Sequence, residues 1–506
     1  MPVSVESCCI RRSFLGSKIR FMKKIFINRH LGYSSYMKII KLEVSNHRNF
    51  REGFVLDLSR PSFTKKRPVV GQGWGDCVFP VAAIYGANAS GKTSVLRAVS
   101  YILAAITQSS GSWLDGSDMV RDPFRLGKTS VTDESRYAID FVLEPKVNAD
   151  NSLGSGVRYH FEFTVDGDGI KHELMQFYVS ERPTTLWERE AANPKPKIVW
   201  GKAKIPTENM GDNFKFDVAP RELVLSRGLK LGSPLQSTLA NALLHGLQVL
   251  NDANHEIDLR LSILMEQLAA GLMSMEDFSD LARAADTGIE DVLLDQEEAE
   301  INPEISQLLE RLVVLASGSS KPSQKSESAP PDAIDQQNQG KAMRRALRFR
   351  HRSADDSNPV VFSLGDESAG TIVWLSLIVP VVTTLKSGGV LFADELDADL
   401  HPSLTKLVVE LFLNPESNPH GAQLIFTSHD VSLLLPQSEV DLNRHQIWIT
   451  EKGNDGSSEL FSLGDFTDIK SKTNVAKQYL EGRYGGVPIL APSLISRLVL
   501  DDSDGA

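Results

Sequence analysis

The sequence predicts an α/β fold built on a mostly parallel sheet, with an antiparallel β subdomain and a helical insertion. A glycine-rich loop joins an apolar run at residues 78–84 to an amphipathic helix, and two later apolar runs end in polar residues. Period-two alternation between Tyr137 and Val179 predicts the antiparallel subdomain. The first strand is expected at Met37, which opens the stretch Met-Lys-Ile-Ile-Lys-Leu-Glu-Val.

The glycine-rich loop predicts a phosphate-binding site. Gly86, Gly91, Lys92 and Thr93 match the pattern G-x-x-x-x-G-K-[ST], which follows a strand and opens a helix. In that geometry the amides of residues 88–93 point at a phosphate, and the helix N-terminus adds a favourable potential. Lys92 is expected to reach the β and γ oxygens, and the Thr93 hydroxyl to bind magnesium. The alternative is a glycine turn that only caps a helix. The predicted nucleotide-binding residues of this loop are Gly86, Ala87, Asn88, Ala89, Ser90, Gly91, Lys92, Thr93 and Ser94.

A second apolar run, residues 390–393, ends in the adjacent acids Asp394 and Glu395. A P-loop enzyme needs a carboxylate for magnesium at the end of a buried strand. Because side chains alternate along a strand, the two acids should have different roles. We expect Asp394 to hold magnesium through water and Glu395 to act as the general base. The alternative is an acidic pair that caps the following helix.

A third apolar run, within residues 423–430, ends in His429 and Asp430. His429 is a candidate donor to the γ-phosphate or to the attacking water. An isolated surface histidine is the alternative, but the two preceding motifs favour a functional residue. The predicted catalytic residues are therefore Glu395, His429 and Lys92.

A further helix N-terminus is predicted after the stretch Ser363-Leu-Gly-Asp-Glu-Ser368-Ala-Gly370-Thr371. Ser368 is a good N-cap residue, and Gly370 would let a phosphate approach the helix. Since the helix after Lys92 already serves one phosphate group, this second helix is expected to serve a nucleotide held by a partner subunit.

Composition limits the classes of protein to consider. The chain has 506 residues and a net charge of −11, with 41% hydrophobic and 24% charged residues, which is typical of a globular protein. We expect no apolar stretch to reach the length of about 18 residues that a membrane span needs. Three cysteines form neither a disulfide framework nor a paired metal motif, so a cytoplasmic location is expected.

Residues 1–36 are basic, with seven Lys or Arg residues against the single acid Glu6. They are either a transit peptide or an over-extended start ahead of Met37. Without them the balance is 47 basic against 64 acidic residues, a net charge of −17, which argues against a general nucleic-acid binder.

The predicted organisation places an N-terminal half with the β subdomain at residues 37–232 and a helical arm at residues 233–316. A flexible linker at residues 317–345 precedes a C-terminal half at residues 346–490 and a tail at residues 491–506. The basic stretch at residues 344–352 is either a phosphate-binding or acid-binding surface of Arg348, Arg350 and Arg352, or a solvated edge strand.

The order GANASGKT, SLGDESAGT, VLFADELDADLHP and IFTSHD, with about 300 residues between lysine and acids, resembles the ABC-type ATPases of the SMC, RecF and OLD group. The match is closest to the AAA-domain ATP-binding proteins of bacterial abortive-infection systems. The stretches LEVSNHRNFR, DPFRL, ADTGIED, QIWITEK and YLEGRYG also resemble that family.

The resemblance implies Mg²⁺ and ATP as cofactors, a homodimer or higher homo-oligomer of head domains, and a role in phage defence. In the group, two heads enclose two ATP molecules, and the serine-bearing signature of one head covers the nucleotide of the other. The signature Glu-Ser-Ala-Gly-Thr differs from the Ser-Gly-Gly-Gln of transporters, and no glutamine lid residue is evident. No metal-nuclease domain of the OLD type follows, so a nuclease or toxin effector would be a separate protein.

Three functions remain open at this stage. The first is an ATP-hydrolysing enzyme whose closure drives a partner effector. The second is an ATP-gated scaffold or sensor that holds a toxin or nuclease with little turnover. The third is a DNA-repair ATPase of the SMC or RecF kind, which the short arm and the acidic balance disfavour.

Overall fold

A computed structural model of the chain describes residues 35–69, 72–116, 118–145, 156–202, 215–251, 254–285, 287–300, 341–352, 360–436, 438, 440–467, 473–488 and 492. Residues 1–34 of the predicted basic extension, residues 317–340 of the predicted linker and nearly all of the predicted tail lie outside the described residues. The chain divides into a larger unit, Tyr33–Ala253 with Pro380–Ala506, and a smaller unit whose described residues fall within Asn254–Val379. The predicted boundaries, an arm at residues 233–316 and a linker at residues 317–345, differ from this division.

The regular elements are numbered here in chain order. The strands are β1 (Ser35–Ser45), β2 (Phe54–Asp57), β3 (Val81–Gly86), β4 (Ser135–Pro145), β5 (Val157–Val165), β6 (Ile170–Tyr178), β7 (Thr184–Glu190), β8 (Lys197–Trp200), β9 (Leu247–Leu250), β10 (Ile289–Glu300), β11 (Lys341–His351), β12 (Val361–Ser363), β13 (Val390–Ala393), β14 (Gln423–Thr427), β15 (Ile447–Lys452) and β16 (Ser458–Ser462). The helices are α1 (Lys92–Gln108), α2 (Val224–Leu231), α3 (Pro234–Gly246), α4 (Asn254–Ala269), α5 (Met275–Arg283), α6 (Ala369–Ser387), α7 (Pro402–Leu413) and α8 (Val475–Leu480).

A six-stranded sheet in the larger unit has the order β16-β15-β3-β14-β13-β9. The pairs from β15 to β9 are parallel, and β16 is an antiparallel edge strand. Every residue of β3, β13 and β14 is buried, as expected for parallel strands covered on both faces. Their carboxyl ends meet at one edge of the sheet, where ligands of open α/β sheets bind.

Helix α1 follows β3 through the glycine-rich loop. The predicted apolar face is confirmed, because Val95, Leu96, Val99 and Ile102 are each at most 1% exposed. Burying one such side chain contributes about 1.5–3 kcal/mol. The helix therefore fixes the loop against the larger unit's core.

A seven-stranded antiparallel sheet, also in the larger unit, has the order β2-β1-β4-β5-β6-β7-β8. The predicted alternation corresponds to β4, β5 and β6, whose inward face is rich in aromatic side chains such as Tyr137, Phe161 and Phe163. Strands β7 and β8 extend the sheet beyond the predicted region.

The segment predicted as a helical arm contains strands as well as helices. Leu247–Leu250 is the edge strand β9 of the parallel sheet, and Ile289–Glu300 is β10 of a three-stranded sheet in the smaller unit. A run of four apolar or polar residues next to a helix carries no distinctive period, and the acidic sequence of β10 has low intrinsic strand preference.

The basic stretch is strand β11, which lies between β10 and β12. The edge-strand interpretation is therefore wrong. Arg348 pairs with Asp295 at 3.0 Å and Arg350 with Asp291 at 2.5 Å, so the chain's own acidic strand neutralises both arginines. This pairing removes the main reason to propose a phosphate-binding surface there.

The expectation that no apolar stretch is long enough to span a membrane is wrong for helix α6. It has 19 residues, and its apolar window has a mean hydropathy of 1.6, so length and composition alone would let it cross a membrane. Within the protein, 61% of that window is buried, as in the core helix of a globular protein.

Candidate functional site

The glycine-rich loop, residues 86–93, is called the P-loop from here on. Gly91 has φ +110°, which favours glycine, and a Cβ atom there would lie 3.2 Å from the Phe50 ring. A Cβ atom on Gly86 would lie 2.3 Å from the Thr450 hydroxyl oxygen and 2.5 Å from that of Ser90. The two glycines therefore permit a backbone path that other residues would obstruct. Gly91 precedes Lys92, the first residue of α1, so the loop amides lie at a helix N-terminus, which favours an anion.

Side chains outside the P-loop hold it in place. The Ser90 and Thr450 hydroxyl oxygens are 2.5 Å apart, which joins the loop to β15. Asn49 accepts from the Ser94 hydroxyl at 2.7 Å and donates to the Ala89 carbonyl at 3.4 Å. Asn49 and Thr450 were not predicted as site residues. Asn49 lies in the quoted stretch LEVSNHRNFR, which gave the only sequence signal for it.

Lys92 is buried, with 6% of the residue exposed. Its ammonium donates to the carbonyls of Gly86 at 2.9 Å and Ala87 at 3.3 Å. Burial lowers the pKa of Lys92, while the carboxylates of Glu395 and Asp394 act in the opposite direction. A phosphate would supply the negative charge that this buried ammonium requires.

The acids at the end of β13 lie beside the P-loop. The Thr93 hydroxyl donates to Asp394 Oδ1 at 3.2 Å, although the two residues are far apart in the chain. The Thr427 hydroxyl donates to the same oxygen at 2.7 Å and accepts from the Glu395 amide at 2.7 Å. The fold therefore brings Lys92, Thr93, Asp394 and Glu395 to one place. Thr427 was missed, although it ends an apolar strand, as the predicted residues do.

Glu395 and His429 face each other at this edge of the sheet. Glu395 Oε1 is 3.8 Å from His429 Nε2, and their side chains are 43% and 42% exposed. The His429 amide donates to Asp397 Oδ2 at 3.1 Å, which fixes the turn after β14. Glu395 has φ +49°, an uncommon conformation for a residue with a side chain, stabilised here by the hydrogen bond from its amide to Thr427. The pair can therefore share a proton or a water molecule.

Thr93 and Asp394 fit Mg²⁺. Magnesium in nucleotide sites takes one or two protein oxygens and completes its shell with water and phosphate. Thr93 and Asp394 supply one hydroxyl and one carboxylate in mutual contact. In the part of the chain that the structure describes, no group of three or more His, Cys, Asp or Glu residues is arranged to hold a metal ion by itself.

Ser368 and Gly370 belong to the smaller unit, whereas the P-loop and the acids belong to the larger one. Ser368 is the predicted N-cap residue: its hydroxyl accepts from the Thr371 amide at 3.1 Å at the start of α6. Ser368 is exposed. Contacts within the larger unit thus bring together the P-loop, Asp394, Glu395 and His429, and the signature residues are not among them.

A protein-family model described as "AAA domain, putative AbiEii toxin, Type IV TA system" matches residues 81–196 and 260–435, more than half of the chain. The matched ranges contain the P-loop, the acids, His429 and the signature residues. No curated protein sequence matches the chain.

Three solved structures are similar to this chain at low sequence identity and low TM-score. An Smc head bound to the C-winged helix domain of ScpA is 14% identical, with a TM-score of 0.36, covering 84% of this chain and 97% of that chain. The SMC head domain from Thermotoga maritima is 11% identical, with a TM-score of 0.33, covering 84% and 98%. The recombination mediator protein RecF-ATPrS of the RecFOR pathway is 14% identical, with a TM-score of 0.31, covering 85% and 99%.

Proposed function

Since the chain belongs to the AbiEii-toxin-like AAA-domain family, we propose that it binds and hydrolyses ATP between two copies of itself and thereby controls a partner effector. One observation carries the proposal: Thr93 of the P-loop donates to Asp394 at 3.2 Å, with buried Lys92 next in sequence. A P-loop beside a strand-terminal carboxylate is the arrangement that nucleoside triphosphate hydrolysis requires.

Each residue has a distinct part in the proposed reaction. The P-loop amides bind the phosphates, and Lys92 moves its ammonium from the carbonyls of Gly86 and Ala87 to the β and γ oxygens. Thr93 and Asp394 would hold Mg²⁺, which supplies charge neutralisation on the phosphates when bound. Glu395 orients the attacking water and accepts its proton, and His429 donates a hydrogen bond to the γ-phosphate or to that water.

The proposed dimer is supported by the exposed helix N-terminus at Ser368 and Gly370. The positive potential of a helix N-terminus suits a phosphate, and each larger unit already has its own phosphate helix in α1. The role in defence is supported only by the family description, which names a toxin of a type IV TA system. We also propose a cytoplasmic location and a separate nuclease or toxin as the effector.

Glu395→Gln tests whether turnover takes place at this site. The change keeps the shape of the side chain and removes the proton acceptor, so we expect magnesium-dependent phosphate release to fall by about 10²–10⁴-fold while ATP still binds. Glu410→Gln, on the exposed side of α7, is the matched control and should hydrolyse ATP at the wild-type rate. Equal phosphate release from Glu395→Gln and wild type would overturn the assignment.

The same variant separates the enzyme from the ATP-gated scaffold. The exposure of both Glu395 and His429 motivates the comparison, because a carboxylate open to water is not yet enclosed for catalysis. If occupancy alone controls the effector, Glu395→Gln should preserve output in cells; if turnover is needed, output should be lost.

A further inference from the structure

The described part of the C-terminal segment, residues 473–488, contains α8 and the stretch Tyr479-Leu-Glu-Gly-Arg-Tyr-Gly-Gly486, and the proposed reaction gives it no role. Gly482, Gly485 and Gly486 have φ values of +75°, +71° and +67°. Three left-handed glycines in five residues give the backbone a tightly specified path after α8. This path brings Gly486 close to Gly86, the first residue of the P-loop.

Tyr479 makes the most direct contact. Its hydroxyl donates to the Gly486 carbonyl at 3.1 Å, in a buried setting, and the Gly86 backbone is close enough to the same hydroxyl to oppose the rise in its pKa that burial causes. Burial raises the pKa of Tyr479, so the hydroxyl keeps its proton for the bond to Gly486. One side chain thus connects the first glycine of the P-loop to the end of the C-terminal segment.

Gly486 approaches the same glycine through its backbone. A Cβ atom on Gly486 would lie 2.5 Å from Ile449 Cγ2, 3.3 Å from the Thr450 carbonyl oxygen and 3.5 Å from Gly86 Cα. A side chain at this position would therefore clash with β15 and contact the first residue of the P-loop.

Gly86 is held from two directions. Its carbonyl accepts from Lys92 Nζ at 2.9 Å, and the C-terminal segment approaches it at Gly486 and Tyr479. The Tyr479 ring also packs edge-on against Tyr85, with ring centroids 5.9 Å apart, and the Tyr85 hydroxyl donates to the Asp430 carbonyl at 3.3 Å. The C-terminal segment thus contacts both the P-loop and the turn that carries His429.

We propose that Tyr479 and Gly486 are positioning residues for the nucleotide: they fix the Gly86 peptide so that the P-loop amides and Lys92 are arranged for polyphosphate before it binds. The inference rests on the proposed ATP site and adds a specific support to it. Preorganised donors bind without the entropic cost of ordering the loop on association. Loosening Gly86 should therefore weaken ATP binding more than it weakens the fold.

Tyr479→Phe removes the hydroxyl and keeps the ring against Tyr85. With AMP-PNP and Mg²⁺ titrated into the full chain, we expect Kd to rise about fivefold, which corresponds to about 1 kcal/mol for one hydrogen bond. Tyr484→Phe is the matched control, because that buried hydroxyl donates to Gln478 within the same segment. Its Kd should stay within about twofold of wild type.

A second pair of variants tests the backbone approach. Gly486→Ala would place its Cβ against Ile449, whereas Gly485→Ala would meet only the flexible carboxylate end of exposed Glu451. Both glycines have positive φ, so the two variants carry the same backbone strain. We expect melting temperatures to fall by similar amounts, and only Gly486→Ala to lose most of the thermal stabilisation that AMP-PNP gives wild type.

The outcomes separate the two proposals. Failure of wild type to bind AMP-PNP would overturn the proposed function and this inference together. Normal binding by wild type with unchanged Kd in both Tyr479→Phe and Gly486→Ala would overturn the inference alone. A weaker Kd in those two variants, with Tyr484→Phe and Gly485→Ala close to wild type, would support it.

Discussion

The Thr427 hydroxyl connects two neighbouring strand ends in the site. Strands β13 and β14 pair with Ala393 opposite Phe426, so the next residues, Asp394 and Thr427, are neighbours at the sheet edge. The hydroxyl donates to Asp394 and accepts from the Glu395 amide, each at 2.7 Å. It therefore orients the proposed magnesium carboxylate and the peptide of the proposed general base together.

Thr427→Val tests this double role. The substitution keeps the side-chain shape, leaves the Glu395 amide without its partner and removes one of the two hydroxyl donors to Asp394 Oδ1, which should destabilise the fold by about 2 kcal/mol. Since both acids lose their orientation, ATP hydrolysis should fall about tenfold or more. Steady-state phosphate release and urea unfolding measure the two effects.

Thr405→Val is the control for Thr427→Val. The Thr405 hydroxyl is buried in α7 and has no hydrogen-bond partner among the described residues, so valine should change stability by less than about 0.5 kcal/mol. Hydrolysis should be unaffected. If Thr427→Val hydrolyses ATP as fast as Thr405→Val, the threonine does not orient the acids.

The sequence patterns predict the residues of the site but not the residues that hold them in place. Lys92, Thr93, Asp394 and Glu395 each follow a pattern in which a polar group ends an apolar strand or opens a helix. Asn49, Thr450 and Tyr479 act through contacts between residues distant in the chain, which no local period encodes. Thr427 is intermediate, since only the register of β13 against β14 reveals its neighbour.

Strands β4 and β5 carry an ionic network on the sheet face opposite the aromatic core. His160 Nδ1 is 2.5 Å from Asp140, and His160 Nε2 is 3.3 Å from Glu162. Burial alone would lower the pKa of His160, but hydrogen bonds to the two carboxylates outweigh it and raise the pKa to about 9. Arg158 also pairs with Asp140, and Arg136 with Glu162.

This network predicts a dependence of stability on pH. A histidine whose pKa rises from 6.5 when unfolded to about 9 when folded stabilises the protein fully below pH 6.5 and loses that contribution as the pH rises through 9. The free energy of unfolding should therefore fall by about 2–3 kcal/mol between pH 6 and pH 10 through this residue. Urea unfolding across that range measures the fall.

His160→Gln should remove most of that fall. His172→Gln is the matched control on the same sheet, because His172 pairs at 3.2 Å with the more exposed Glu188. It should keep the wild-type pH profile. Identical profiles for wild type and His160→Gln would show that the network does not hold the histidine in its charged form.

The elements differ in how far the sequence predicts them. Strands β3, β13 and β14 are short apolar runs with clear ends, so their type and order were predictable. Strand β10 was not, because its acidic residues favour a strand only beside the arginines of β11. Cross-strand pairs of opposite charge stabilise a sheet by about 0.2–1 kcal/mol each, and that energy depends on a partner elsewhere in the chain.

The order of the chain explains the long separation between the P-loop and the acids. The larger unit is interrupted by Asn254–Val379, between β9 and β13, which pair with each other in the parallel sheet. The sequence predicted an insertion in a split ATPase, and the resemblance to a known family supplied that expectation. The position of the boundary depends on tertiary contacts and was not predictable from composition.

The proposed association of two copies gives a prediction for the signature serine, Ser368. Ser368→Asp retains an N-cap oxygen but adds a negative charge that would repel a partner's γ-phosphate. In the Glu395→Gln background with ATP, sedimentation velocity should show association weakened by about tenfold or more, a change of about 1.4 kcal/mol. ATP affinity at low protein concentration should remain unchanged.

Ser274→Asp is the control for this prediction. Ser274 caps α5 by accepting from the Asp277 amide at 3.0 Å, so the variant makes the same change at another helix N-cap of the smaller unit. It should associate like its Glu395→Gln parent. If both aspartate variants associate equally well, Ser368 does not face a nucleotide across a dimer interface.

Equilibrium binding of ATP with Mg²⁺ tests the central claim most directly. Wild type and Lys386→Ala, which removes an exposed lysine from the last turn of α6, should bind one ATP per chain with equal affinity. Lys92→Ala should bind about 100-fold more weakly, a loss of about 2.7 kcal/mol, because the buried ammonium that meets the phosphates is gone. Equal affinity in all three proteins would contradict the assignment of the P-loop as the nucleotide site.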